Sequence, residues 1–75
     1  MDRATLLAHL EQARALVADD ALRIARQKAL IRHLNRDGPS GLDAEKYLHF
    51  LEGVQALHVT NRNRLERELA TANAE

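Results

Sequence analysis

One short segment, Asp37-Gly38-Pro39-Ser40-Gly41, contains the chain's only proline and two of its three glycines. On both sides of it, apolar residues recur every three or four positions, which is the period of an amphipathic helix. We therefore expect one all-α domain over residues 1–75, with a helix over 3–36, a turn over 37–41 and a helix over 42–71. Because the connection is short, the two helices must run antiparallel as a hairpin.

The turn carries specific signals for ending one helix and starting the next. Gly38 can adopt the left-handed conformation that ends a helix, and Pro39 cannot continue one. Ser40 can cap the second helix, with Asp43 at its third helical position. The alternative is that Asp43 is itself the cap, which moves the start of the helix towards the C-terminus.

Folding the chain about Pro39 aligns the apolar stripes of the two arms. Each arm has one stripe of residues at helical spacing, and the two stripes face each other in the antiparallel arrangement. In this register Leu10 lies beside Leu69, and Ile24 lies beside Val54. The stripes comprise Leu6, Leu10, Ala13, Val17, Ile24, Ile31 and Leu34 in the first arm, and Tyr47, Leu51, Val54, His58, Leu65, Leu69 and Ala72 in the second.

Composition limits how a chain of 75 residues can be stabilised. A domain of this size buries a core that contributes only a few kcal/mol. The chain has no cysteine, which excludes disulfides and thiolate metal sites. Self-association is the remaining means of gaining stability.

Two further features of the composition bear on partners and location. Eleven acidic and eleven basic residues balance to zero formal charge, which argues against a nucleic-acid partner. No apolar run approaches the length of a membrane span, and Leu6-Leu7-Ala8 is too short for the core of a signal peptide. We expect a cytoplasmic protein that does not contact a membrane.

The arms have more apolar surface near the turn than a two-helix contact can cover. Each such side chain contributes roughly 1.5–3 kcal/mol when it is buried. We therefore expect a homodimer that forms an antiparallel four-helix bundle. The alternatives are a protein partner that supplies the missing helices, or a higher oligomer. The candidate dimer-interface residues are Leu30, Ile31, Leu34, Leu48, Phe50, Leu51 and Leu57.

Polar residues interrupt the stripes about halfway along the hairpin. Asp20 lies level with His58, and Asn61 lies one turn nearer the chain ends. We expect these three residues to form a polar layer in the seam. One interpretation is a pH-sensitive or ligand-binding site, because histidine changes charge near neutral pH. A second is that the layer fixes the helix register, as polar residues do in coiled coils. The third interpretation rotates the helix, so that Asp20 is solvated and Ala21 faces inward.

The sequence contains no recognisable catalytic or cofactor-binding motif. Helical bundles hold paired metal ions with Glu-x-x-His motifs, and this chain has none. Glu45, His49 and Glu52 share one helical face, which is more typical of a solvated charged surface. There is no glycine-rich phosphate loop and no set of nucleophile, base and orienting residue. We expect no enzymatic activity, no cofactor and no metal.

Three short sequence words resemble a known family. They are Arg23-Ile24-Ala25-Arg26-Gln27, Leu34-Asn35-Arg36-Asp37-Gly38 and Asn61-Arg62-Asn63-Arg64-Leu65. They are similar to a family of small uncharacterised bacterial proteins with two helical arms joined at an Asp-Gly turn. That family has His or Asp at the positions of Asn61 and Asn63. The resemblance implies a hairpin fold and carries no activity.

These observations favour a protein-interaction or regulatory adaptor built on a dimeric hairpin. The alternative is an RNA-binding four-helix bundle like the plasmid-copy-control protein Rop, which is an analogy of architecture alone. The basic residues of the first arm spread around the helix, whereas RNA binding favours a single basic stripe. The interaction module is therefore the leading hypothesis.

Overall fold

The protein is a hairpin of two long helices. The computed structural model describes residues 2–37 and 42–74, with helix α1 at Arg3–Asp37 and helix α2 at Leu42–Ala74. The helices pack against each other in a rod with dimensions of 59 × 14 × 14 Å. The predicted all-helical hairpin is confirmed. The predicted turn signals at Gly38, Pro39 and Ser40 lie outside the described residues.

The ends of α2 differ from two expectations. Asp43 lies inside the helix, so the alternative in which it is the cap is wrong. The helix also continues past Thr71 to Ala74, beyond the expected end at residue 71. Contacts with the start of α1 explain the extension: Ala72 packs against the cluster around Leu6, and Arg3 Nε donates a hydrogen bond to Asn73 Oδ1 over 2.8 Å.

Asp2 caps the first turn of α1. Its Oδ1 accepts a hydrogen bond from the Thr5 backbone N–H over 2.7 Å, and its carbonyl accepts one from the Leu6 N–H over 2.9 Å. Two N–H groups at the helix start are thereby satisfied. The hydrogen bond from the Thr5 backbone, with a smaller contribution from its hydroxyl, lowers the pKa of Asp2.

The core is one narrow seam between the helices. Near the chain ends, Leu6, Leu10, Ala13 and Leu65 form a buried cluster, and Leu69 packs against it. Towards the turn, the buried apolar residues are Ile24, Ile31 and Leu51. All of these residues belong to the two stripes defined by helical spacing. Two rods in contact can bury only the stripes that face each other, so the rest of their surface stays exposed.

Neither described helix contains a stretch apolar and long enough to cross a membrane.

Gly53 lies in the interior of α2, and no atom lies within 4 Å of the position that a Cβ would occupy. The hairpin therefore does not need glycine here for a close helix contact.

Replacement by alanine, Gly53→Ala, is expected to raise the free energy of unfolding by about 0.5–1 kcal/mol, because alanine loses less backbone entropy in a helix. Urea unfolding followed by circular dichroism measures the change. Ala56→Gly, at an exposed position of the same helix, should lower stability by a similar amount. A loss of stability in Gly53→Ala would contradict the prediction.

The lowered pKa of Asp2 gives its cap a pH dependence of definite sign. The stabilisation is present above the ordinary pKa of an aspartate, and it is lost as the pH falls through the lowered value. We expect Asp2→Ala to lower the melting temperature near neutral pH and to have little effect in strong acid. Asp2→Asn keeps a capping oxygen without the titration, and it serves as the control. An effect of Asp2→Ala that is equal at all pH values would show that the carboxylate charge does not contribute.

Candidate functional site

A carboxylate and an imidazole meet in the middle of the seam. Asp20 of α1 is 3% exposed, and its Oδ2 lies 2.5 Å from Nδ1 of His58 in α2. The side chain of His58 is 31% exposed. Because an ionised carboxylate only accepts hydrogen bonds, the ring N–H at Nδ1 is the donor. The pair is the only contact between a buried charged side chain and the opposite helix among residues 2–37 and 42–74.

Helical spacing explains why Asp20 is buried. It lies three residues after Val17 and four before Ile24, both of which belong to the inward stripe. Ala21, one residue further on, is exposed. The interpretation in which Asp20 is solvated and Ala21 faces inward is therefore wrong.

Unlike the apolar residues of the seam, the buried carboxylate of Asp20 needs a specific partner on the opposite helix. A buried carboxylate is costly unless it receives hydrogen bonds or an opposite charge. His58 supplies the bond, and every buried side-chain nitrogen or oxygen in the described part of the chain has a hydrogen-bond partner. Sliding one helix along the other by a single turn would separate the two groups and break this hydrogen bond. The pair therefore favours the observed register over those in which Asp20 has no partner.

Asn61 is near this pair in sequence but has different contacts. Its Oδ1 accepts a hydrogen bond from Arg64 Nη2 over 2.8 Å. Arg64 Nη1 donates in turn to Glu68 Oε1 over 2.7 Å. Asn61 is half-buried at the edge of the seam, and its bond runs along its own helix. The structure thus brings together two of the three residues predicted for the polar layer.

A shallow cleft of about 150 Å³ lies on one side of the seam, between the Asp20–His58 pair and the chain ends. Both helices line it, which places their contributing residues on the same face of the rod. The lining residues are His9, Gln12, Ala13, Leu16, Asn61, Arg64 and Leu65. Helical spacing gives no signal for this cleft, because its shape depends on how the two helices are rotated against each other.

The same face continues towards the turn as a set of apolar side chains, here called the apolar face. Steps of seven and four residues extend the cleft side of α1 from Leu16 to Leu30 and Leu34, and similar steps extend α2 from Asn61 back to Tyr47. The apolar face comprises Leu16, Leu30, Leu34, Tyr47, Phe50, Val54 and Leu57. Tyr47 and Phe50 stack at a ring-centroid distance of 6.1 Å and are 49% and 61% exposed.

The candidate dimer-interface residues do not all lie on the apolar face. Ile31 and Leu51 are buried in the hairpin's own seam, so a second molecule cannot contact them in this arrangement. Leu48 is half-buried on the other flank of α2, because two helical positions separate it from Phe50 by about 200°. The members that lie on the apolar face are Leu30, Leu34, Phe50 and Leu57.

Charged residues near the chain ends form ion pairs with each other. Arg14 lies 3.4 Å from Glu66 across the seam, and Arg64 pairs with Glu68 along α2. Nearer the turn, His49 lies 3.6 Å from Glu52 on the exposed side of α2. No group of three or more histidine, aspartate or glutamate residues that could hold a metal lies together within the described helices. Mixed ion pairs of this kind make a solvated surface without a single strong sign of charge.

Gln27 makes a further polar contact across the seam. Its Nε2 donates to the backbone carbonyl of Ala44 over 2.9 Å. Gln27 lies three residues after Ile24 and four before Ile31, both in the inward stripe, but its bond to a backbone oxygen has no sequence signal. This bond connects the helices nearer the turn than the Asp20–His58 pair does.

No family model, curated protein or solved structure matches this chain. The resemblance to small bacterial hairpin proteins therefore remains a prediction.

Replacement of His58 by leucine tests the Asp20–His58 pair. We expect His58→Leu to lower the free energy of unfolding by roughly 2–4 kcal/mol, because it leaves a buried carboxylate without its partner. The double variant Asp20→Leu/His58→Leu removes both polar groups and should regain stability to within about 1 kcal/mol of the original chain. Urea unfolding of the original chain, both single variants and the double variant gives the coupling energy. A coupling energy near zero would show that the pair does not stabilise the hairpin.

Proposed function

We propose that this protein is a non-enzymatic interaction module, a homodimer of helical hairpins that acts as a protein-interaction or regulatory adaptor. The observation that carries the proposal is the apolar face. Eight large hydrophobic residues of the described chain are exposed, and five of them lie on this face. They are Leu16, Leu30, Tyr47, Phe50 and Leu57. On α1 the exposed Arg23 lies between Leu16 and Leu30, so the exposed apolar residues are concentrated near the turn. An exposed apolar surface is typical of an interaction site.

The surface area of the hairpin supports the proposal that a second copy of the chain packs on it. The chain exposes 5472 Å², whereas a compact monomer of 8.4 kDa exposes about 4,600 Å². The excess is roughly 850 Å², close to the ~800 Å² that each partner buries in a standard interface. A second copy that packs on the apolar face would remove an area of this order from water and would form a four-helix bundle.

The small core also supports self-association. Seven apolar residues of the described chain are buried, and they lie in a single seam. A core of this size gives little stability once the entropy of ordering two long helices is subtracted. Burial of Phe50 and Leu57 alone would add about 3–6 kcal/mol. A partner chain is the available source of this energy, because the sequence has no cysteine.

The non-enzymatic part of the proposal rests on the surroundings of the Asp20–His58 pair. A carboxylate that orients an imidazole supplies two of the three residues of a nucleophilic triad. The third residue is a serine, threonine or cysteine. The only serine in the sequence, Ser40, lies outside the described residues, and the chain has no cysteine. Thr60 is two positions from His58 and therefore on the opposite side of α2. The pair is better suited to fixing the helix register.

Light scattering after size-exclusion chromatography tests the dimer. We expect the original chain to have twice its monomer mass at tens of micromolar. The variant Phe50→Glu/Leu57→Glu should raise the dissociation constant at least a hundredfold, because it replaces about 3–6 kcal/mol of apolar burial with two charges at the interface.

The matched control is Leu22→Glu. Leu22 is 56% exposed, which is comparable to Phe50, but it lies on the outer side of α1. This variant should keep the mass of the dimer. Circular dichroism should show unchanged helix content and melting temperature in Leu22→Glu, because this side chain is exposed and lies outside the proposed interface. Phe50→Glu/Leu57→Glu should have a lower melting temperature, because it loses the stability that the second copy supplies. A monomeric original chain, or equal effects of both variants, would overturn the proposal.

A further inference from the structure

The face that carries the apolar residues changes character along the rod. Towards the turn it is apolar and includes Leu30, Phe50 and Leu57. Towards the chain ends it is more polar, because His9, Gln12, Asn61 and Arg64 line the cleft there beside the apolar Ala13, Leu16 and Leu65. We call this second region the polar half of the face. A surface divided in this way can distinguish between orientations of a second copy.

A face-to-face dimer of two hairpins has two simple symmetries. If the two-fold axis runs along the rod, both turns lie at the same end, and α1 of one copy packs on α2 of the other. If the axis crosses the middle of the rod, the turns lie at opposite ends. The apolar region of each copy then covers the polar half of the other. If the axis crosses the rod nearer the turns, the two apolar regions can cover each other. The polar halves are then left uncovered, and the interface is shorter.

Burial costs separate these arrangements. With the axis across the middle, each helix faces its own copy in the opposite direction, so Phe50 would lie over Arg64 and Leu34 over His9. Polar groups covered by apolar side chains lose water without gaining hydrogen bonds, which disfavours this arrangement. With the axis along the rod, Leu30 of one copy lies level with Phe50 of the other, and the polar halves face each other. The full length of the 59 Å rod then contributes to the interface.

Complementary hydrogen-bonding groups favour the same arrangement. Leu69 packs against the cluster that contains Leu10, so His9 and Glu68 lie at similar heights on the two helices. With the axis along the rod, α1 of one copy faces α2 of the other at equal height. His9 of each copy then approaches Glu68 of the other, so that an imidazole N–H can donate to a carboxylate oxygen across the interface.

We propose that a second copy docks on this face about a two-fold axis parallel to the rod, with both turns at the same end of the bundle. This inference rests on the proposed dimer and specifies its partner surface and orientation. The segregation of apolar and polar residues along one face acts as the orientation signal.

Distances between nitroxide labels, measured by double electron–electron resonance, test the orientation. Single labels at Leu42→Cys and Ala4→Cys lie on exposed outer positions near the two ends of the rod, and no native cysteine interferes. With the turns together, both variants should give distances set by the bundle width, about 20–35 Å with the label linkers. With the turns at opposite ends, the Ala4 labels should lie at least about 45 Å apart, because each residue adds 1.5 Å along a helix.

Two controls separate the possible failures. Labelled Phe50→Glu/Leu57→Glu should lose the dipolar signal, whereas labelled Leu22→Glu should keep it, which shows that the distances arise within the dimer. If light scattering finds a monomer, the proposed dimer itself is wrong. If the protein is a dimer and the Ala4 distance exceeds about 45 Å, the dimer stands and the orientation is overturned.

Discussion

The narrow contact between two helices limits how much apolar surface this protein can bury. Each helix can bury only the stripe that faces its neighbour, and here that stripe includes Leu10, Ile24 and Leu65. The remaining circumference of each helix faces water, so the chain exposes far more surface than a compact protein of its mass. The small core and the exposed apolar face both follow from this geometry. The proposal of an interaction module is a consequence of the same limit.

Apolar stripes alone do not fix how two helices slide along each other. Leucine and isoleucine side chains can interdigitate in several registers at similar cost. The Asp20–His58 pair favours the observed register, because the buried carboxylate of Asp20 has its hydrogen-bond partner there. A polar residue in a coiled-coil seam favours one register in a similar way. The hydrogen bond from Gln27 to the Ala44 carbonyl acts in the same direction nearer the turn.

The two regions of the exposed face have different physical roles in the proposed assembly. The apolar region supplies the free energy of association, because burial of Phe50 and Leu57 releases the water around them. The polar half supplies little energy, but it penalises the wrong orientation through the unpaired groups that it would bury. This division of affinity and specificity is a common property of protein interfaces.

The sequence by itself determined the hairpin, its antiparallel register and most of the inward stripes; Tyr47, which helical spacing placed in a stripe, is 49% exposed. These follow from helical periodicity and a short turn, which are local properties of the chain. The tertiary structure decided what depends on helix rotation: Asp20 is buried, Asn61 bonds to Arg64, Leu48 lies on another flank than Phe50, and Ile31 and Leu51 belong to the seam. A rotation of a few tens of degrees moves a residue between core, flank and solvent. Spacing in a sequence does not specify that angle, because the packing of both helices sets it together.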